Sequence, residues 1–308
     1  MATTEYPTLD DVEAYWSKAV GEVPSHGEAP KDLGHEFRED QPYERHSWGT
    51  WLEFKGLDGL PFWCYWQTCS RPGKRKTLVH LPGYGTETSM HPSLVHAGYN
   101  VLHVNPRGYC GPNGFSNLDW RAPDGSADVL LRNIDTPDSY GYRSWFQDVV
   151  IAVRWLQSRD DVAGKLGFFG TSQGGGGALI SGSILAYEGI VGAVAADEPF
   201  LTNFRLLHET RVGTAYDVFF SNLPQEKEAF RRAFYTLGLI DAAVHAPKMT
   251  YPVLLTAGSA DPSCPTESIH SLYDLLPDTR AIVEMHNEEH GYTPPFPTLA
   301  EAWFDLYL

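Results

Sequence analysis

Two rhythms of apolar residues run along the chain. Over residues 8–20, Leu9, Val12, Tyr15, Trp16, Ala19 and Val20 recur at three- and four-residue spacing. That spacing predicts an amphipathic helix, with Thr8 as its cap before an acidic first turn. Residues 22–41 are rich in Pro, Gly and charge and read as a connecting segment. Apolar and polar positions then alternate over 47–54 and 61–68, as in paired strands, and Gly56-Leu57-Asp58-Gly59 is the turn that closes their hairpin.

From residue 76 the rhythm changes to short, continuously apolar runs at 76–81, 100–105, 165–169, 192–196, 253–257 and 281–285. Strands buried on both faces of a mostly parallel sheet read this way, because neither face needs polar residues. Trp145, Val149, Val153 and Leu156 place a helix just ahead of the third run, which makes a βαβ succession. Residues 108–141 form a long irregular insertion with several aspartates and aromatics, a length that usually serves a site or an interface. The expected organisation is an N-terminal helix and connecting segment over 1–45, packed on one α/β domain over 46–308.

Composition narrows the function classes. The 308 residues are 42% hydrophobic and 20% charged, with 29 Gly and 22 Pro, which suits a packed core joined by many turns. A net charge of −16 repels polyanions, so nucleic acid is excluded as a partner and a neutral or cationic small molecule is favoured. The first residues carry Glu5, Asp10, Asp11 and Glu13 where a secretory leader has a basic stretch and then an apolar one, and no apolar run reaches membrane-spanning length. A cytoplasmic location without membrane attachment is expected. Cys64, Cys69, Cys110 and Cys264 lack metal-site spacing and read as free thiols.

The chemistry concentrates at Gly170-Thr171-Ser172-Gln173-Gly174, which matches Gly-x-Ser-x-Gly between a strand and a helix start. The flanking glycines suit a turn too tight for a β-carbon, and the turn lifts Ser172 above the sheet at a helix N-terminus. Gly175, Gly176 and Gly177 extend the run, but no Gly-Lys-Ser/Thr follows and the dinucleotide spacing is absent. A serine nucleophile needs a base and a group to orient the base, in the chain order Ser, acid, His for this fold. Asp261 follows the 253–257 run and is the expected acid, with Asp241, Glu267 and Asp278 as competitors. His290 lies in the loop after the last strand and is preferred as base over His286, which directly follows that strand. The oxyanion hole needs two backbone N–H donors. Gln173 supplies one, and Tyr84 in Pro82-Gly83-Tyr84-Gly85 is assigned the other. Tyr84 and Phe200 are the candidate walls of a small acyl pocket. The fold expected is an α/β-hydrolase: a mostly parallel central sheet flanked by helices, with an antiparallel hairpin at its start. No metal or cofactor is required.

With these residues the chain resembles carbohydrate esterase family seven, the acetyl xylan esterase and cephalosporin C deacetylase group of α/β-hydrolases. The resemblance rests on Gly83-Tyr84-Gly85, Asn105-Pro106-Arg107-Gly108, Ser172-Gln173-Gly174-Gly175, Pro199-Phe200-Leu201 through Phe204-Arg205, and Asp261 followed by Cys264-Pro265. It implies a serine esterase that removes acetyl groups from small sugars or xylo-oligosaccharides, and a homo-oligomer, in this family commonly a hexamer built partly through an insertion like 108–141. Two positions depart from the family pattern: its Arg-Gly-Gln is Arg107-Gly108-Tyr109 here, and its His-Glu is His290-Gly291. Fold and triad do not determine the scissile bond. A broader carboxylesterase, amidase or peptidase, and a non-catalytic hydrolase-like binding protein, are therefore the other readings.

Overall fold

A computed structural model describes residues 6–25, 28–34, 49–85, 88–112, 114–115, 117–121, 128–210, 214–291 and 294–308. Helix α1 (Leu9–Gly21) starts where its period predicts. Thr8 Oγ1 accepts from the Asp11 N–H, and the Asp11 carboxylate accepts in return from the Thr8 N–H. This reciprocal cap satisfies two backbone donors at the helix start. The inner face, Val12, Trp16 and Ala19, is buried, and Trp16 Nε1 donates to the Leu239 carbonyl at 2.7 Å.

After α1 come β1 (Lys31–Gly34), β2 (Gly49–Lys55), β3 (Pro61–Gln67), β4 (Arg75–Leu81), α2 (Pro92–Ala97), β5 (Asn100–Val104), the two-residue pair β6 (Cys110–Gly111) and β7 (Gly114–Phe115), and α3 (Gly141–Gln157). The second half holds β8 (Val162–Thr171), α4 (Gln173–Leu185), β9 (Val191–Asp197), α5 (Phe204–Thr210), α6 (Asp217–Asn222), α7 (Lys227–Gly238), α8 (Ala242–His245), β10 (Val253–Gly258), α9 (Thr266–Leu275), β11 (Arg280–Met285) and α10 (Phe296–Tyr307). Among the described residues, nine strands form one sheet in the order β1-β2-β3-β5-β4-β8-β9-β10-β11. The first three meet their neighbours antiparallel, and all pairs from β5 to β11 are parallel. The fold is that of an α/β-hydrolase.

The apolar runs are continuous because alternate residues feed two cores. Val79, Leu102, Val104, Phe168, Val194 and Leu255 join the larger core beneath α1, α3 and α4. Their neighbours Leu78, Val101, Phe169, Ala193 and Leu254 pack on the other face against Phe296, Ala300 and Phe304 of α10. The hairpin turn closes as expected, with Gly56 N–H donating to the Leu60 carbonyl and Gly59 N–H to the Gly56 carbonyl. The four cysteines form no disulfide.

Three features differ from the sequence reading. The segment taken as a connector contributes β1 to the sheet edge, where Asp32 Oδ1 accepts from the Gly34 N–H and from Thr50 Oγ1; the rest of 35–41, and the start of the strand expected at 47, lie outside the described residues. The 108–141 insertion buries Trp120, Val129, Leu130, Ile134 and Tyr140, so its described part is core more than surface loop, while 122–127 lie outside the description. Among the described residues, helices α5 to α8 occupy the stretch between β9 and β10, where the sequence reading placed no individual helix.

Candidate active site

Strand order dictates which loops meet. The C-terminal ends of β8, β9, β10 and β11 are consecutive neighbours in the parallel sheet, and each is followed by one group of interest: Ser172, Glu198, Asp261 and His290. In open α/β sheets, ligands bind in crevices outside the carboxyl ends of the strands.

Ser172 occupies the one-residue turn between β8 and α4 at φ 56°, ψ −121°. A left-handed backbone at a non-glycine residue costs about 1–3 kcal/mol and persists only when its surroundings hold it. Here Ser172 N–H donates to the Asp197 carbonyl at 2.8 Å, and its carbonyl accepts from Phe200 N–H at 2.9 Å and from Gly176 N–H at 3.0 Å. Both elbow glycines are required by the same neighbour, since a β-carbon on Gly170 or Gly174 would run into the carbonyl oxygen of Leu81. The first N–H groups of α4 lack acceptors within the helix, which leaves partial positive charge beneath the serine.

The imidazole of His290 lies between Ser172 and Asp261. Its Nε2 is 2.9 Å from Ser172 Oγ, and its Nδ1 is 2.8 Å from Asp261 Oδ2. A carboxylate only accepts, so Nδ1 carries the proton and Nε2 is bare toward the serine hydroxyl. Asp261 Oδ1 accepts from the N–H groups of Ser263 and Cys264 at 2.7 and 2.9 Å, which aims Oδ2 at the imidazole. Burial pulls the His290 pKa down. The hydrogen bond and charge of Asp261, with the charges of Glu198 and Asp197, outweigh it and hold the pKa above the ordinary histidine value.

The competitors sit elsewhere. Asp241 is buried at the N-cap of α8, its oxygens taken by Tyr6 Oη and the N–H groups of Asn203, Phe204 and Ala243. His286, Glu267 and Asp278 are exposed.

Tyr84 lies at the rim, about half exposed, in the loop that follows β4. Phe200 is buried; its ring packs 4.2 Å from Tyr216 and 5.5 Å from Phe219, and what it presents to Ser172 is its backbone N–H. Gln173 is fully buried, its side-chain amide held by Tyr142 and Tyr109.

Two further residues enter the site. Tyr109, where the family pattern has Gln, is buried, and its hydroxyl accepts from Gly85 N–H at 2.9 Å and from Gln173 Nε2 at 3.0 Å while donating to the Gly83 carbonyl at 2.8 Å. One phenol thus ties the Tyr84 loop to the residue after Ser172. Arg107, two positions earlier, is anchored by both oxygens of buried Asp148 at 2.9 and 3.0 Å and by Asp58, which fixes the segment that carries Tyr109. Glu198 is the second, and the sequence reading passed it over. It lies directly after β9, beside the Pro199-Phe200-Leu201 stretch that the reading singled out.

Among the described residues two clusters could offer three metal ligands, Asp261, Cys264 and His290, and His80, His91 and His103. In the first, the imidazole nitrogens already face Ser172 and Asp261. In the second, Asn105 donates through Nδ2 to Thr88 and to the Cys110 carbonyl, so its Oδ1 accepts from His103 Nε2. That leaves His103 Nδ1 bare to accept from His80 Nδ1 at 2.7 Å. Burial lowers the pKa of His91 to about 3 and of His103 to about 4, so these imidazoles are neutral. Hydrogen bonding accounts for His80 and His103.

Comparison with known proteins agrees with this geometry. The family model described as acetyl xylan esterase (AXE1) matches residues 3–306. The structure of acetyl xylan esterase 1 from Thermoanaerobacterium sp. JW/SL YS485 superposes with a TM-score of 0.81 at 22% identity, over 99% of this chain and 96% of that one. The acetyl xylan esterase from Paenibacillus sp. R4 gives 0.78 at 21% identity over the same shares. Est1E from Butyrivibrio proteoclasticus, with ferulic acid bound, gives 0.58 at 18% identity over 81% of this chain and 95% of that one. A sheet whose adjacent strand ends bring serine, histidine and aspartate together, and a family match over nearly the whole length, lead to one conclusion: the chain belongs to the acetyl xylan esterase family and is a carboxylic ester hydrolase on the α/β-hydrolase fold.

Proposed function

We propose that this enzyme deacetylates small acetylated sugars such as xylo-oligosaccharides, with Ser172 as nucleophile, His290 as base and Asp261 as the group that orients the base. The observation that carries the reading is the unbroken relay from Ser172 Oγ through both nitrogens of His290 to Asp261 Oδ2. Ser172 Oγ attacks the ester carbonyl as its proton passes to His290 Nε2, and the tetrahedral oxyanion is held by the N–H groups of Gln173 and Tyr84. Collapse expels the sugar alcohol, which takes the proton back from Nε2. Water then enters by the same route, acetate leaves, and Ser172 recovers its proton. Tyr84 and Phe200 bound a small acyl pocket. The enzyme works in the cytoplasm as a homo-oligomer, a reading supported by its net charge of −16 and its family resemblance.

The test is a hydrolysis panel of acetyl, butyryl and longer esters beside acetylated xylo-oligosaccharides and matching amides. Each methylene that a closed apolar pocket rejects is worth about 1–3 kcal/mol, so kcat/KM for acetyl should exceed that for butyryl by more than about tenfold. A flat acyl profile, or amides turned over as well as esters, overturns the reading in favour of a broader carboxylesterase or an amidase. Failure of Ser172 to react with a fluorophosphonate returns the protein to the non-catalytic reading.

Tyr109 gives a second expectation. Tyr109→Phe removes the one hydroxyl that accepts from Gly85 and Gln173 and donates to Gly83, freeing the loop that carries the Tyr84 donor. Misplacing an oxyanion donor acts on the transition state more than on the bound ester. The variant should therefore lose about ten- to a hundredfold in kcat with little change in KM, measured on the acetyl ester.

A further inference from the structure

A second carboxylate faces the imidazole. Glu198 has a fully buried side chain, and its Oε2 lies 3.5 Å from His290 Nδ1, on the edge that already meets Asp261. The same Oε2 accepts from Gly291 N–H at 2.9 Å, so Glu198 grips the backbone directly after the histidine. Among the described residues its Oε1 is buried with no hydrogen-bond partner. Glu198 adopts a left-handed backbone at φ 40°, and its N–H is held by Thr256 Oγ1 at 3.2 Å. Burying a carboxylate in a strained turn, with one oxygen unsatisfied, is unfavourable, and such features collect at functional sites.

We propose that Glu198 is a positioning residue for the esterase reaction: its carboxylate and that of Asp261 flank the Nδ1 edge of His290 from two neighbouring strand ends and together hold the imidazole against Ser172. The inference rests on the assignment of His290 as base. Asp261 makes the direct hydrogen bond, while Glu198 sets the position of the loop through Gly291 and adds negative charge where the imidazolium forms. No proton is transferred to Glu198 during the reaction.

Among the described residues the other ionisable groups facing the pair are few. Asp197 ends β9, with its oxygens accepting from Thr171 Oγ1 at 2.9 Å and Thr256 Oγ1 at 2.5 Å. Asp261 and the buried thiol of Cys264 follow β10, and α4 contributes no ionisable side chain. Burial raises the Glu198 pKa, the Gly291 N–H opposes it, Asp197 and Asp261 raise it further, and His290 lowers it, leaving it at about 7. Glu198 and His290 therefore titrate as a coupled pair. A negative charge beside Nδ1 strengthens proton binding by the imidazole, so its removal shifts the loss of that proton to lower pH.

Glu198→Gln keeps the shape and an acceptor for Gly291 N–H but removes the charge. The expected result is an acid limb of kcat/KM displaced by about one pH unit or more toward acid, with the alkaline plateau lowered about tenfold. Glu198→Asp, charged but one methylene shorter, should fall between the two. An acid limb that superimposes on the wild type overturns the proposal, whatever the plateau does, because a purely structural glutamate would lower the rate without moving the limb. Should Glu198→Gln fail to fold, the wild-type protein is titrated by 15N and 13C NMR: His290 and Glu198 sharing their transitions supports the proposal, and independent single-site curves overturn it. Fluorophosphonate labelling keeps the two levels apart. With Ser172 labelled and the limb unmoved, only the role of Glu198 fails; with Ser172 unlabelled, the esterase mechanism fails first.

Discussion

Ser172→Ala should lower kcat by about 10⁴–10⁶-fold, abolish fluorophosphonate labelling and leave the thermal midpoint within a few degrees of the wild type. The variant removes one oxygen, the atom 2.9 Å from His290 Nε2, and nothing the fold depends on. The hydrogen bonds that hold the strained turn run through the Ser172 backbone, to Asp197, Phe200 and Gly176, and alanine keeps them all. What remains is catalysis by the oxyanion donors and by substrate positioning. That residue of activity is small because the acyl-enzyme no longer forms. A variant with near-normal turnover would show that the nucleophile lies elsewhere.

Asp261→Asn should cost about 10³–10⁴-fold in kcat with KM nearly unchanged. The magnitude follows from which end of the new amide faces the imidazole. Ser263 and Cys264 offer two N–H donors to Oδ1, so the single amide oxygen stays with them and the NH₂ turns toward His290. An NH₂ donates, which forces Nδ1 to accept and puts the imidazole proton on Nε2, against the serine hydroxyl it should deprotonate. The base is then present in the wrong tautomer. With His290 as the proposed base its neutral form is the working one, so wild-type kcat/KM should rise with pH as the imidazolium deprotonates, along a limb centred above the ordinary histidine value. A small loss in Asp261→Asn would mean that the aspartate only anchors its loop.

Much of this was legible one residue at a time. The elbow glycines can be read because the collision they avoid, with the Leu81 carbonyl, belongs to any strand–turn–helix of this tightness. Strands β4, β5, β8, β9 and β10 can be read because a strand between two cores needs apolar residues on both faces; β11, expected to be buried in the same way, is the outer strand of the sheet and buries only Met285. Asp261 and His290 follow from chain order and from their places just past strand ends. Short β1 could not be found in this way: Lys31-Asp32-Leu33-Gly34 has no alternation, and it is a strand only because β2 offers it an unpaired edge. The buried aromatics of the 108–141 insertion gave no period, so their contribution to the core was invisible without their partners.

Glu198 and Tyr109 mark the boundary most clearly. Glu198 carries no local signal, and Tyr109 stood out only as a departure from the family pattern with no role attached; each acts through groups far away in the chain, Glu198 through Gly291, Tyr109 through Gly85 and Gln173. By itself the sequence determined what nearest neighbours and periodicity decide, namely the helices and buried strands, the nucleophile turn, and the types and order of the groups that surround it. The tertiary structure alone decided which side chains share the buried space at the ends of β8 to β11. Strand order brings those loops together, and once water is excluded there, distances of a few ångströms between charges set proton affinities that no local pattern records.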